Sequence, residues 1–250
     1  MTKENNIFFW VPNAITALNL VSGSLAVFFA VDGQLGWASV FILAAAVFDF
    51  MDGFAARLLH AYSAIGKELD SLADLVSFGL APAAMIFTMI EFTFFGTNQP
   101  IHEIQASGSQ WILLGSSLLI PVAGAFRLAK FNTDDRQSDS FLGMPIPANA
   151  IFFASLGLIL ELGTNETIKS IILNKNVLMS CIFICSFLMV SELPMFSMKF
   201  KNLNPKENAI RFLFLGVTLL MLVTLQIYAL PLIIVWYVLL STITYFSALK

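Results

Sequence analysis

The stretch DFMDGFAARLLHAYSAIGKELDSLAD, residues 49–74, carries four aspartates between two strongly apolar segments. Asp49 and Asp52 are three residues apart, and Asp70 and Asp74 are four apart, so each pair shares one face of a helix. Helices joined by a short connection are usually antiparallel neighbours. We therefore expect two adjacent helices that point their acidic faces at each other and bring four carboxylates into one site.

The composition indicates that these helices lie in a membrane. Apolar types make up 58% of the 250 residues and charged types 12%, whereas a soluble domain carries about 25% charged residues. The sequence contains no run of basic residues, which argues against nucleic-acid binding. Because lipid leaves backbone amides without partners, we predict an all-α, polytopic integral-membrane bundle. The eight predicted spans are about 11–31, 37–59, 72–95, 111–129, 143–162, 174–193, 208–228 and 230–249.

The basic residues predict the orientation of the bundle. If the spans alternate, 11 of the 13 lysines and arginines fall on one side, and only Lys169 and Lys175 fall on the other. The positive-inside rule then places both termini and the acidic stretch on the cytoplasmic side of the cell membrane. Residues 90–111 are predicted to form an external loop, and residues 131–147 a cytoplasmic one.

A divalent cation is the simplest way to hold four carboxylates together at a membrane edge. Without one, the anions would repel each other in a poorly hydrated site. A ligand set made only of oxygen favours Mg²⁺, Mn²⁺ or Ca²⁺ over zinc, and four carboxylates are enough for two ions. Gly53, Ala56 and Gly66 keep the surroundings free of bulk. Arg57 adds a cation suited to a phosphate oxygen.

The spacing Asp49-x2-Asp52-Gly53-x2-Ala56-Arg57-x8-Gly66-x3-Asp70-x3-Asp74 resembles the complete signature of the CDP-alcohol phosphatidyltransferase family. Four further segments resemble its branch of integral-membrane phosphatidylserine synthases. These segments are PNAITALNLVSG (12–23), DSLADLVSFGLAPA (70–83), FRLAKFN (126–132) and FLGMPIPANA (141–150). The resemblance covers roughly residues 10–150. Lys130 stands where the branch more often has arginine, which keeps the cation but loses a bidentate fork.

The resemblance implies transfer of the phosphatidyl group of CDP-diacylglycerol to the hydroxyl of L-serine, which gives phosphatidylserine and CMP. It implies metal ligation by Asp49, Asp52, Asp70 and Asp74, with Asp74 also acting as the general base. It implies CDP-diacylglycerol binding by a set of residues from the first two predicted spans and from the segment that follows the second. That set is Asn13, Thr16, Asp52, Gly53, Ala56, Arg57 and Gly66.

The resemblance also suggests a homodimer. The chain is predicted to form one membrane domain over residues 1–250, with a catalytic core at about 10–195 and a helix pair at about 207–249.

Arg127 and Lys130 are candidates for holding the serine carboxylate, although basic residues are also ordinary at a cytoplasmic helix end. Asn132 and Ser77 are candidates for hydrogen bonds to serine, or for capping and packing.

Three alternatives stay open on the sequence. The same chemistry with another acceptor, such as glycerol 3-phosphate or inositol phosphate, would favour a more cationic pocket. A divalent-cation transporter would need acids near the bilayer midplane that are reachable from both sides. A non-catalytic membrane scaffold gives no reason for a full set of metal ligands and a base.

Overall fold

The protein is almost entirely helical in a computed structural model that describes residues 8, 10–133, 141–196, 204 and 207–248. The helices are α1 Trp10–Val31, α2 Leu35–Leu58, α3 Ala64–Asp74, α4 Ala81–Phe95, α5 Gly108–Gly115, α6 Leu119–Thr133, α7 Ile146–Leu162, α8 Glu166–Ile172, α9 Lys175–Val190, α10 Ala209–Leu225 and α11 Ala229–Ala248. Short 3₁₀ turns lie at Ile101–Glu103, Ser116–Leu118 and Gln226–Tyr228, and two-residue strands at β1 Phe141–Leu142 and β2 Pro194–Met195.

Helices α1 and α2 form the most extensive helix pair of the described chain. Their contact faces carry small, fully buried residues, among them Ala26, Ala30, Ala38 and Ala45, and these let the two backbones approach closely. The turn between them passes through Gly33, whose φ of +80° suits glycine. This hairpin sets the end of α2, with its two aspartates, beside the start of α1.

The second acidic pair lies on a longer helical rod that runs from Ala64 to Phe95. Ser63 begins it, because its side-chain oxygen accepts a hydrogen bond from the backbone N–H of Gly66 at 2.9 Å. Between α3 and α4 the rod is π-helical over Leu75–Leu80. Single π-helical turns are frequent at functional sites, and this one starts at the residue after Asp74.

The rod packs closely against α1 at this π-helical turn. A Cβ atom added at Gly23 would lie 2.5 Å from the Cα atom of Ser77, so only glycine permits the observed approach. The rod is the most deeply buried of the long apolar helices in the described residues. It therefore forms the centre of the bundle, where it contacts α1, α2, α6, α7 and α9.

The last two helices fold back on each other. The rings of Phe214 in α10 and Tyr237 in α11 lie 6.0 Å apart, although 22 residues separate them in the chain. In one straight helix these residues would be about 35 Å apart. The reversal takes place at Gln226, whose φ is +51°. Helix α11 also packs against α7.

The predicted all-α polytopic membrane fold is confirmed. Within the described ranges, five helices are long and apolar enough to cross a bilayer, or six if the pair α8 and α9, bent by 59°, counts as one span. Residues Ala209–Ser247 enter that count as a single stretch. The number of crossings and the side of each terminus stay predictions. Helix boundaries differ most at the third predicted span, where the helix starts at Ala64 instead of at about residue 72.

Candidate active site

Helices α2 and α3 bring three of the four aspartates together. One carboxylate oxygen from each of Asp49, Asp70 and Asp74 lies within 4.8 Å of the others. Asp74 is 7% exposed, and Asp49 and Asp70 are half-buried. Both α2 and α3 pack against α1, and this common contact brings their acidic faces to one site.

The cluster has the properties of a site for a divalent cation. Oxygen Oδ1 of Asp70 is buried and has no hydrogen-bond partner among the residues that the structure describes. None of the ion pairs between described residues involves any of the four aspartates. Buried carboxylates without a cation are strongly unfavourable, and a ligand set of carboxylate oxygens suits Mg²⁺, Mn²⁺ or Ca²⁺. The residues present therefore fit a hard divalent ion.

Asp52 is oriented differently from the other three aspartates. Thr16 of α1 donates a hydrogen bond from Oγ1 to Oδ2 of Asp52 at 2.6 Å, and its hydroxyl oxygen also lies 3.0 Å from the carbonyl oxygen of Pro12. Asp52 lies outside the group of three, although it lines the same cavities as Asp70. The prediction that Asp52 ligates metal stays a prediction.

Asn19 of α1 is a site residue that the sequence analysis missed. It is fully buried, and its Nδ2 donates a hydrogen bond to Oδ1 of Asp74 at 3.1 Å. Its backbone carbonyl accepts a hydrogen bond from Oγ of Ser77 at 3.0 Å, which ties the π-helical turn to α1. Thr16, Asn19 and Ser22 form a buried polar row at three-residue spacing in an apolar helix. That row is the signal that would have identified Asn19.

The first of two cavities at the site, the α1 cavity, lies between α1, the end of α2 and the start of α3 and has a volume of about 240 Å³. A Cβ atom at Gly66 would lie 2.8 Å from Oδ1 of Asn13, so a larger residue at this position would require the Asn13 side chain to move. Lys67 also lines this cavity and was not predicted. All seven residues predicted to bind CDP-diacylglycerol line the α1 cavity, namely Asn13, Thr16, Asp52, Gly53, Ala56, Arg57 and Gly66.

The second cavity, the α6 cavity, has a volume of about 770 Å³ and lies between α2, α3, α6 and the start of α7. It contains all four aspartates together with Arg57 and Arg127. It shares four lining residues with the α1 cavity, so the two cavities adjoin along one edge of the acidic cluster. The shared residues are Asp52, Gly53, Arg57 and Asp70.

Arg127 is the one predicted acceptor residue that lines the α6 cavity. It is 6% exposed, its Nε donates a hydrogen bond to the carbonyl oxygen of Met144 at 3.2 Å, and its guanidinium lies 5.5 Å from the ring centre of Phe131. Among the described residues, its terminal Nη groups donate no hydrogen bond. A buried guanidinium with free donors is suited to a planar anion such as a carboxylate.

The other three predicted acceptor residues do not line the α6 cavity. Lys130 pairs with Glu192 at 2.7 Å. Asn132 donates from Nδ2 to Oγ of Ser71 at 2.8 Å, and Ser77 bonds to the backbone of α1. A role for Lys130, Asn132 and Ser77 in serine binding stays a prediction, and each has a structural contact that explains its side chain.

Comparison with known proteins identifies the family of the chain. Residues 9–190 match the CDP-alcohol phosphatidyltransferase family. The chain is 31% identical over 242 residues to a CDP-diacylglycerol–serine O-phosphatidyltransferase of Mycobacterium leprae, covering 92% of this chain and 71% of that protein. A Bacillus subtilis protein of the same name is 35% identical over 138 residues, which cover 55% of this chain and 70% of that protein.

An archaeal relative is similar over a comparable region. The archaetidylserine synthase of Methanothermobacter thermautotrophicus is 33% identical over 159 residues, which cover 61% of this chain and 60% of that protein. Because the family match extends over most of the chain and contains both acidic pairs, the protein belongs to the CDP-alcohol phosphatidyltransferase family.

Proposed function

We propose that the protein transfers the phosphatidyl group of CDP-diacylglycerol to the hydroxyl of L-serine, producing phosphatidylserine and CMP. The observation that carries the proposal is the convergence of Asp49, Asp70 and Asp74 in a cavity that also holds the buried guanidinium of Arg127. The names of the three relatives compared above all refer to serine, as the acceptor in two of them and as part of the product in the third.

The donor substrate would occupy the α1 cavity and the edge it shares with the α6 cavity. Gly53, Ala56 and Gly66 leave space for a nucleotide there, and Arg57 and Lys67 provide cations for its pyrophosphate. In this arrangement the reacting phosphorus would lie at the shared edge, beside Asp52 and Asp70. The diacylglycerol tails would stay in the lipid that surrounds the bundle.

The acceptor would enter the α6 cavity, with the serine carboxylate on Arg127 and the hydroxyl facing Asp74. The Asp74 carboxylate accepts the hydroxyl proton. The serine oxygen then forms a bond to the phosphorus that carries diacylglycerol, and the bond from that phosphorus to the CMP oxygen breaks. Asn19, which donates to Oδ1 of Asp74, holds the base in place during this step.

A divalent ion, Mg²⁺ or Mn²⁺ in our proposal, would neutralise the pyrophosphate and stabilise the leaving CMP when it is bound by Asp49, Asp70 and Asp74. Because four carboxylates line one cavity, the proposal includes a second ion that Asp52 would help to bind. Ca²⁺ satisfies the same oxygen ligands and is a competitor to be tested.

We place the site on the cytoplasmic face of the cell membrane. Arg57, Lys67 and Arg127 line the two cavities, Lys130 lies on α6 one turn after Arg127, and positive residues collect on the cytoplasmic side. Serine and CMP are water-soluble and would be exchanged there. We also retain the homodimer as a prediction from the family resemblance.

The decisive experiment is an acceptor assay on the purified protein. With CDP-diacylglycerol and Mg²⁺ or Mn²⁺, we expect CMP release on addition of L-serine, together with formation of phosphatidylserine. Release with glycerol 3-phosphate or inositol phosphate, and none with serine, would move the protein to another branch of the family.

Metal transport without any CMP release would favour the transporter alternative. The structure offers little support for it. The acids of the site lie at one end of the bundle, and the buried Glu91 at the other end accepts hydrogen bonds from Asn98 and from the backbone of Gln99.

A further inference from the structure

Arg127 is held at one point of its guanidinium. Nε donates to the carbonyl oxygen of Met144, and Phe131 lies beside the planar group. Because the guanidinium is planar and rigid, that single bond decides which way its two Nη groups face. The position of the Met144 carbonyl therefore controls how Arg127 is presented to the α6 cavity.

The Met144 carbonyl is fixed by a short segment that is bound to the end of α9. The backbone N–H of Met144 donates to the carbonyl of Leu188, and that of Gly143 donates to the carbonyl of Leu193, both at 2.9 Å. One residue earlier, β1 pairs with β2, with Leu142 opposite Pro194. Residues 141–144 thus contact residues 188–195 through successive backbone groups.

Gly143 makes this contact possible. Its φ is +76°, and an added Cβ atom would lie 2.6 Å from the carbonyl oxygen of Met189 and 2.7 Å from that of Ser191. Both obstacles are backbone atoms, so a side chain at this position would push the segment away from α9. The Met144 carbonyl would move with it.

The same region is connected to the C-terminal hairpin, which consists of α10 and α11. Tyr237 of α11 donates from its hydroxyl to the carbonyl oxygen of Phe196, which directly follows β2, at 3.1 Å. The rings of Tyr237 and Phe196 lie 5.0 Å apart, and Phe214 of α10 packs against both. The hairpin lies beyond residue 190, where the family match ends.

We propose that residues 141–144 and 188–196, anchored to the C-terminal hairpin by Tyr237, form an arginine clamp that positions Arg127 for the carboxylate of the acceptor. Gly143 and Tyr237 are positioning residues in this clamp, which gives the hairpin a role in acceptor recognition. The inference rests on the proposed function, since it takes Arg127 as the acceptor anchor. None of the clamp residues lines the α1 cavity.

The test separates acceptor binding from donor binding. For Gly143→Ala we expect the KM for L-serine to rise about tenfold or more, with kcat at saturating serine, the KM for CDP-diacylglycerol and Mn²⁺ binding unchanged. For Tyr237→Phe we expect a smaller rise in the serine KM, about threefold, because one hydrogen bond to the clamp is lost while the ring packing stays.

Two matched controls are present in the chain. Gly96 has a similar φ, +72°, but no atom of the residues that the structure describes lies within 4 Å of a Cβ atom there, so Gly96→Ala imposes backbone strain without displacing the clamp. The hydroxyl of Tyr228, at the other end of the hairpin, accepts hydrogen bonds from the backbone of Thr164 and Asn165. Gly96→Ala and Tyr228→Phe should leave the serine KM unchanged.

Arg127→Gln distinguishes the clamp from the proposed function. If Arg127→Gln raises the serine KM while Gly143→Ala and Tyr237→Phe do not, the clamp is overturned and the acceptor site stands. If Arg127→Gln leaves the serine KM unchanged, the acceptor assignment itself fails. If Gly143→Ala raises the KM for L-serine and the KM for CDP-diacylglycerol equally and also lowers kcat, Gly143 has a general structural role, and the clamp is again overturned. Should Gly143→Ala not fold, Tyr237→Phe decides alone.

Discussion

Replacing Asn19 by alanine removes the hydrogen bond that α1 donates to the proposed base. Nδ2 of Asn19 lies 3.1 Å from Oδ1 of Asp74, with Asn19 fully buried and Asp74 7% exposed, so water cannot easily replace the lost donor. Hydrogen bonds to charged groups contribute about 1.5–3 kcal/mol. If that interaction orients Asp74 in the transition state, kcat should fall about ten- to a hundredfold.

The effect should be confined to the chemical step. Asn19 lines neither cavity, so the KM for CDP-diacylglycerol should change less than about twofold. The assay is CMP release at saturating serine and donor, with thermal unfolding measured in parallel. Ser24→Ala is the matched control, because Ser24 lies on the same helix and its hydroxyl bonds, within the described part of the chain, only to the carbonyl of Leu20. An unchanged kcat in Asn19→Ala, or a raised donor KM with normal kcat, would refute the reasoning.

The remaining predictions concern the base, the packing and a control site. Asp74→Asn should nearly abolish turnover and leave CDP-diacylglycerol binding detectable, and full activity in that variant would remove Asp74 from the mechanism. Gly23→Ala should destabilise the protein by about 1–3 kcal/mol, because its Cβ atom would meet Ser77; an unchanged unfolding midpoint would contradict this. Ser107→Ala breaks the capping box with Gln110 and should cost about 1 kcal/mol of stability with normal activity, so lost activity would be unexpected.

The sequence predicted the acidic site because its signal is local. A spacing of three or four residues places both members of each aspartate pair on one helix face, and a short connection keeps the two pairs close together. The small residues at Gly53, Ala56 and Gly66 followed from the same stretch, and they do line a cavity beside the acids. Hydropathy likewise predicted the membrane bundle.

Hydropathy was less informative about helix boundaries. The predicted third span started at about residue 72, whereas the helix starts at Ala64. Residues 64–71 include Lys67, Glu68 and Asp70, which lower the hydropathy without disfavouring a helix. A hydropathy window detects the part of a helix that can lie in lipid, and the acidic pair of α3 lies at the edge of that part.

Contacts between distant segments could not be predicted from one sequence. The bond from Asn19 to Asp74 spans 55 residues, and the π-helical turn at Leu75–Leu80 has no spacing signature. Arg127 was predicted as an acceptor residue, but its support by Met144 depends on how residues 141–144 meet the end of α9. Each of these features is set by tertiary packing.

Binding of Mn²⁺ to the purified protein without substrates, followed by electron paramagnetic resonance, tests the shared metal site most directly. We predict that Asp49→Asn and Asp70→Asn each weaken binding at least about tenfold, because each removes a carboxylate from the group within 4.8 Å. Asp32→Asn, in the exposed turn between α1 and α2, should bind as the wild type does. Equal Mn²⁺ affinity in the wild type and in the Asp49 and Asp70 variants would contradict the account.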